Sequence, residues 1–150
     1  MANTYIMRWP TLGKQLRCDK IGHNQHIFDW WLDQLPTSSV QSHTIGSGWC
    51  LYLTSIPVRS PITWEPGTEA KEDLSKAADG RLKLMNPVGG VLEMVVKYGN
   101  REETVGCSTF AQVRDEDLPI LREVGAAQWK AVIRTKEVIT AEFVKEDTGA

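Results

Sequence analysis

The sequence is poor in cysteine, in excess charge of either sign and in long apolar runs, and each shortage closes off a class of protein. Its three cysteines, Cys18, Cys50 and Cys107, are odd in number and far apart with no Cys-x-x-Cys spacing. Neither a disulfide framework nor a zinc knuckle is expected. Cys50 and Cys107 each lie in a strand-like stretch, where a free cysteine ordinarily behaves as a small core hydrophobe. Lys and Arg number 17 against 19 Asp and Glu, a net charge of -2, so the chain as a whole does not attract nucleic acid or an anionic membrane. The longest apolar stretches, such as 91–96, carry a charge and are far too short to span a bilayer. The opening MANTYIMRWP has no basic region followed by an apolar run. No secretory signal is therefore expected, and a cytoplasmic location is the simplest reading. There is no Walker loop or dinucleotide fingerprint, and Val88-Gly89-Gly90 lacks the lysine and the helix of a phosphate cradle. No metal and no cofactor is expected.

What remains is a globular composition, with 41% hydrophobic and 24% charged residues in 150 positions and no internal repeat. Residues 1–150 make one domain. One figure stands out: six Trp against three Phe and three Tyr.

Two runs of alternating apolar residues, 4–9 and 14–20, flank Pro10-Thr11-Leu12-Gly13 and predict a hairpin. Ile27, Phe28, Trp31 and Leu35 then recur at helical spacing, with Asn24 placed to cap the start and Pro36 to end the segment. Residues 39–45 and 49–56, separated by Gly46-Ser47-Gly48, predict a second hairpin. The stretch 57–80, with Pro57, Pro61, Pro66 and Gly67 followed by charged residues, predicts a long connection of the kind that is functional or mobile. Residues 81–85 and 91–98 flank a Gly89-Gly90 turn, and 104–113 is a further strand. Asp115 or Asp117 can cap a second helix with Pro119 in its first turn and Leu118, Leu121, Gly125, Trp129 and Val132 as its buried stripe. A last strand covers 137–144. Seven or eight short strands and two helices favour a mainly β fold, a closed antiparallel barrel whose ends the helices cap. Trp31 and Trp129 are then the expected plugs of the two ends.

This order resembles the cyclophilin-like small bacterial domains, and within them the group to which cucumopine synthase is similar. The residues carrying the resemblance are Trp31-Leu32-Asp33-Gln34-Leu35-Pro36, Ser39-Val40-Gln41-Ser42-His43, Trp49-Cys50-Leu51-Tyr52-Leu53, Val91-Leu92-Glu93-Met94-Val95, Cys107-Ser108-Thr109-Phe110-Ala111 and the helix segment 121–129. The resemblance implies a cyclophilin-like barrel and a Pictet–Spengler-type condensation of an amine such as histidine with a 2-oxo acid. It does not imply prolyl isomerase activity, because the Phe-His-Arg and Phe-Met-Gln strings of true cyclophilins are absent.

Within that frame His43 is a natural proton shuttle in a strand whose face is mostly polar, and Glu93 interrupts an apolar strand as an outward carboxylate. Together they are the candidate acid and base, with a surface histidine and a solvated charge as the plainer readings. Trp49 and Trp64 lie outside the helical stripes and can wall a pocket for a flat substrate, or simply pack a loop. Arg59, Arg81 and Lys83 can neutralise a carboxylate or merely keep strand edges soluble. Ser108 and Thr109 offer hydroxyls and Phe110 a wall, beside Gly106, where a missing side chain admits a ligand to the backbone. His23 and His26 lack a third metal ligand nearby. The expected partner is a small-molecule substrate, with no nucleic acid and no membrane, and a homo-oligomer is open. A hydrolase of a cyclic amide or imide, and a non-catalytic metabolite- or peptide-binding module, are the alternatives to the condensing enzyme.

Overall fold

Alternating apolar residues around a tight turn fold the N-terminal part into the expected hairpin, β1 (Thr4–Trp9) and β2 (Lys14–Lys20), with Gly13 at φ 63° supplying the left-handed residue of the turn. The computed structural model describes residues 2–85 and 92–147. Beyond the hairpin come α1 (Gln25–Gln34), β3 (Thr37–His43), β4 (Gly48–Ile56), β5 (Glu72–Asp73), β6 (Arg81–Met85), β7 (Leu92–Arg101), β8 (Gly106–Cys107), β9 (Thr109–Val113), α2 (Leu118–Lys130) and β10 (Ile139–Lys145). Eight strands close antiparallel in the order β1-β10-β3-β4-β7-β6-β9-β2, which leaves no free sheet edge. β5 and β8 form a separate small ladder outside the ring. The expected turn at Gly89-Gly90 lies outside the described residues.

The helices cap opposite ends. Trp31 of α1 is fully buried, with its ring 5.9 Å from Tyr5 and 5.1 Å from Phe143, and plugs the end at which β1 begins. α2 covers the end at which β1 finishes. There Trp9 Nε1 donates to Gln41 Oε1 at 2.8 Å, and Gln41 Nε2 donates to Gln128 Oε1 at 2.9 Å, so Gln41 satisfies a buried indole and relays it to α2.

Four expectations need correction. The buried stripe of α2 is Leu121, Val124, Gly125 and Gln128, while Trp129 and Val132 are half-exposed. Trp129 packs at the barrel rim against the rings of His43 and Trp49, and the helix widens into a π turn just beyond it over Ala131–Thr135. Neither Asn24 nor Asp117 caps through its side chain. Asp117 instead accepts from the Arg17 backbone N–H at 2.8 Å and from its Nε and Nη2 at 2.9 Å each, tying α2 to β2. The stretch 104–113 is two strands, β8 pairing with the long connection and β9 with the barrel.

Candidate functional site

The long connection is drawn against the outside of the barrel by its own apolar residue. Leu74 is fully buried in a satellite cluster with Cys50, Val95 and Cys107 on the outer face. Lys97, buried on the same face, donates to the carbonyls of Ser75 at 3.1 Å and Ala77 at 2.6 Å. Pairing of Glu72 with Cys107 completes the attachment. Between this strap and β6 lies a cavity of about 320 Å³, whose polar groups come from Glu69, Lys71, Lys83 and Ser108 and whose walls include Met85, Val105 and Cys107.

The charges in this cavity are arranged to receive an anion. Lys71 Nζ donates to Ser108 Oγ at 2.7 Å and stands 3.6 Å from Glu69 Oε2. Glu69 accepts from Trp64 Nε1 at 3.0 Å and from the Gly67 backbone N–H at 2.9 Å. Burial alone would raise the Glu69 pKa, but these hydrogen bonds, with one from its own backbone and the charge of Lys71, hold it below its ordinary value. Glu69 is thus an ionised partner of one lysine. Among the described residues, the Lys83 side chain makes no hydrogen bond and no ion pair, so two ammonium groups face the cavity against one carboxylate.

Of the residues expected from the sequence, Lys83 and Ser108 meet in this cavity. Glu93 stands one strand away, paired with Met85 of the cavity wall, and its carboxylate lies beside the Tyr52 phenol. Burial and that carboxylate push the Tyr52 phenol up to about 12. Trp64 supports the site through Glu69 and packs edge-on against Trp30 and His26, with ring centroids 5.3 and 5.6 Å away. Thr109 is fully buried, and its hydroxyl donates to Glu72 Oε1 at 2.8 Å while its oxygen faces His23 Nε2 at 2.7 Å, which occupies it within the protein. Phe110 is not a ligand wall. It is fully buried in the core, its ring 6.4 Å from Phe28 and 6.5 Å from Trp31. Gly106 lines the cavity and also admits the strap: a Cβ there would lie 3.3 Å from Lys71 Cβ. Arg59 is remote, its Nη2 donating to the Pro36 carbonyl at 3.3 Å just past α1.

His43 and Glu93 do not come together. On β3 the residues Ser39, Gln41 and His43 face inward, whereas Glu93 lies on the opposite, outer face of β7 from its inward neighbours Leu92 and Met94. His43 is not on the barrel surface but 4% exposed at the rim under α2. Its Nδ1 lies 2.5 Å from the Thr44 carbonyl, which can only accept, so Nδ1 carries the proton and Nε2 accepts from the Tyr98 hydroxyl at 2.5 Å. Burial holds the His43 pKa below 6.5 against the pull of the Thr44 carbonyl, and burial pushes the Tyr98 phenol up to about 12. Trp129 and Trp49 stand edge-on to the imidazole, with centroids 4.9 and 5.8 Å away. Trp49 and Trp64 therefore sit at opposite ends of the molecule. Among the described residues, no three His, Cys, Asp or Glu side chains converge to hold a metal ion.

Glu69 and Lys71 were missed because they lie in the long connection, where a charged stretch reads as solvated loop. The available signal was their i, i+2 spacing beside Trp64. Trp129 reads as part of a buried helix stripe and Tyr98 as one more strand residue, because nothing local tells a rim position from a core one.

Fold and cavity together define a closed eight-stranded antiparallel barrel with a strap-covered, cation-lined cleft on its outer wall. No protein-family model matches the sequence, and no curated protein matches it. Among solved structures the chain is similar to McbB in complex with tryptophan, with a TM-score of 0.81 and 28% identity over 97% of this chain and 46% of that one. The chain thus spans less than half the length of the protein it matches.

Proposed function

We propose that the protein is a small-molecule enzyme that condenses an amine with a 2-oxo acid and closes a ring, as the resemblance to the cucumopine synthase group implies. The observation that carries this reading is the convergence of Lys71, Lys83 and Ser108 on one cavity with only Glu69 to balance them. A carboxylate bound there exchanges water for charge-assisted hydrogen bonds, each worth about 1.5–3 kcal/mol. The likeness to a structure holding tryptophan, an amino acid, supports a small amine-bearing substrate.

In this scheme the substrate nitrogen attacks the keto carbon of the 2-oxo acid. The nitrogen's proton passes to the former keto oxygen, the Lys71 ammonium through Ser108 protonates the resulting hydroxyl, water leaves and an iminium ion forms. A nucleophilic carbon of the amine substrate then attacks the iminium carbon, the proton that carbon loses passes to a carboxylate, and exchange through water returns a proton to Lys71. Glu93, one strand from the cavity and paired with its wall residue Met85, is the base assigned to that step. Lys83 holds the carboxylate of the 2-oxo acid throughout, so that the reacting atoms meet in one orientation.

The test is to incubate the protein with 2-oxoglutarate and each of histidine and tryptophan, and to look by mass spectrometry for the sum of the two less one water. The expected product appears with wild type and falls steeply with Lys83→Met and Glu93→Gln. If His43→Gln abolishes the product while Lys83→Met does not, the chemistry belongs to the barrel rim. Saturable binding with no product from any pair leaves a binding module, and ring opening of an imide without a 2-oxo acid leaves a hydrolase.

A further inference from the structure

Besides Lys83 of β6, the polar groups of the cavity come from two segments far apart in sequence, 67–71 on the strap and 105–108 before β9. The β5–β8 pairing ties the chain just after the first to the second, the Leu84 N–H holds the Ser108 carbonyl at 3.1 Å, and Asn24 adds a side-chain bridge between Ala70 and Thr109. Asn24 occupies the turn before α1 with φ 52°, a conformation asparagine tolerates better than most residues, and it is 7% exposed. Its Nδ2 donates to the Ala70 carbonyl at 2.9 Å and to the Thr109 carbonyl at 2.8 Å, and its Oδ1 accepts from the Ala70 N–H at 2.9 Å. The amide pairs with Ala70 as a neighbouring strand would. Ala70 separates Glu69 from Lys71, and Thr109 follows Ser108.

We propose that Asn24 is a positioning residue for this cavity, setting the separation of Glu69 and Lys71 from Ser108 by clamping Ala70 to Thr109. This rests on the reading of the cavity as the substrate site. No other side chain serves at this position. Aspartate has no donor for the two carbonyls, glutamine is longer by a methylene, and alanine has neither donor nor acceptor. The Lys71–Ser108 hydrogen bond, the one contact between the two cavity-lining segments through their functional groups, is the first distance to change when the clamp opens.

Two measurements need no substrate. In wild type the Ala70 amide should exchange with solvent at least about tenfold more slowly than an unbonded loop amide, and exchange at the unbonded rate would overturn the clamp. In Asn24→Gly, which keeps the backbone freedom and removes the side chain, the Ala70 amide should exchange at least about tenfold faster than in wild type. An exchange rate unchanged from wild type would overturn the proposal. A third measurement separates this inference from the functional one. If wild type forms the condensation product, Asn24→Gly should lower kcat by about 10–100-fold with a smaller change in KM, as expected for misplaced groups. Product formed at the wild-type rate by Asn24→Gly defeats the clamp and leaves the site reading standing. No product from wild type, with both exchange results as expected, defeats the site reading and leaves the clamp.

Discussion

Gly125 of α2 lies so close beneath the ring of Tyr98 that a Cβ at this position would stand 2.4 Å from the phenol Cζ. Helix and ring are in contact because a side chain is missing, and the same ring carries the hydroxyl that binds His43. Gly125→Ala should therefore act on His43 at one remove. Helix propensity alone favours alanine by about 1 kcal/mol, but the overlap costs about 1–3 kcal/mol and drives Tyr98 aside. The expected result is no gain in thermal stability, together with a changed tryptophan emission from Trp49 and Trp129. A clear rise in Tm with unchanged emission would show that the ring moves freely.

The buried His43 makes stability depend on pH in a defined direction. Its folded pKa lies below 6.5 because burial opposes its charge, so below pH 6.5 the unfolded chain takes up a proton that the folded one does not. Stability is unaffected by this group above that pH and falls as the pH drops beneath it. Tm should decline from pH 7 toward pH 5 and decline less in His43→Gln. Asp19 and Asp117, held below 3.8 by Arg114 and Arg17 respectively, contribute a separate loss only at still lower pH, as each protonates through its depressed pKa.

Trp31 is fully buried among Tyr5, Phe110 and Phe143. Trp31→Ala leaves a cavity at the α1 end and should cost about 3–5 kcal/mol, read as a lowered midpoint in urea. Trp129→Ala at the half-exposed rim should cost clearly less, and equal losses would mean that both ends are sealed alike.

Lys83→Met keeps most of the side chain's length and removes its charge. Because the Lys83 side chain has no ion pair or hydrogen bond among the described residues, Tm should change little. Affinity for 2-oxoglutarate, measured by calorimetry, should fall about 10–100-fold if one charge-assisted contact is lost. An unaltered affinity would remove Lys83 from the site.

The hairpins and the two helices were legible because period and turn chemistry are local signals, as β1, β2 and their Gly13 turn illustrate. β3 shows where that legibility ends. Its inward residues are the polar Ser39, Gln41 and His43, while Val40 on the other face is 54% exposed. The usual sense of the alternation is inverted because Gln41 and His43 find their partners on β1, α2 and β7, at Trp9, Gln128 and Tyr98. No local pattern encodes partners that distant. The cavity was half legible for a similar reason. Lys83 and Ser108 lie on or beside strands and were noticed, whereas Glu69 and Lys71 matter only once Leu74 and Asn24 have fixed the strap.

No strand between β4 and β6 joins the eight-stranded ring; β5 pairs only with β8, outside it. The barrel therefore closes without the segment that roofs the cleft. On the proposed reading of the cleft, exposed strap positions such as Pro66 and Gly67 can be changed to retune what it accepts while Lys83 and the closed scaffold beneath stay as they are.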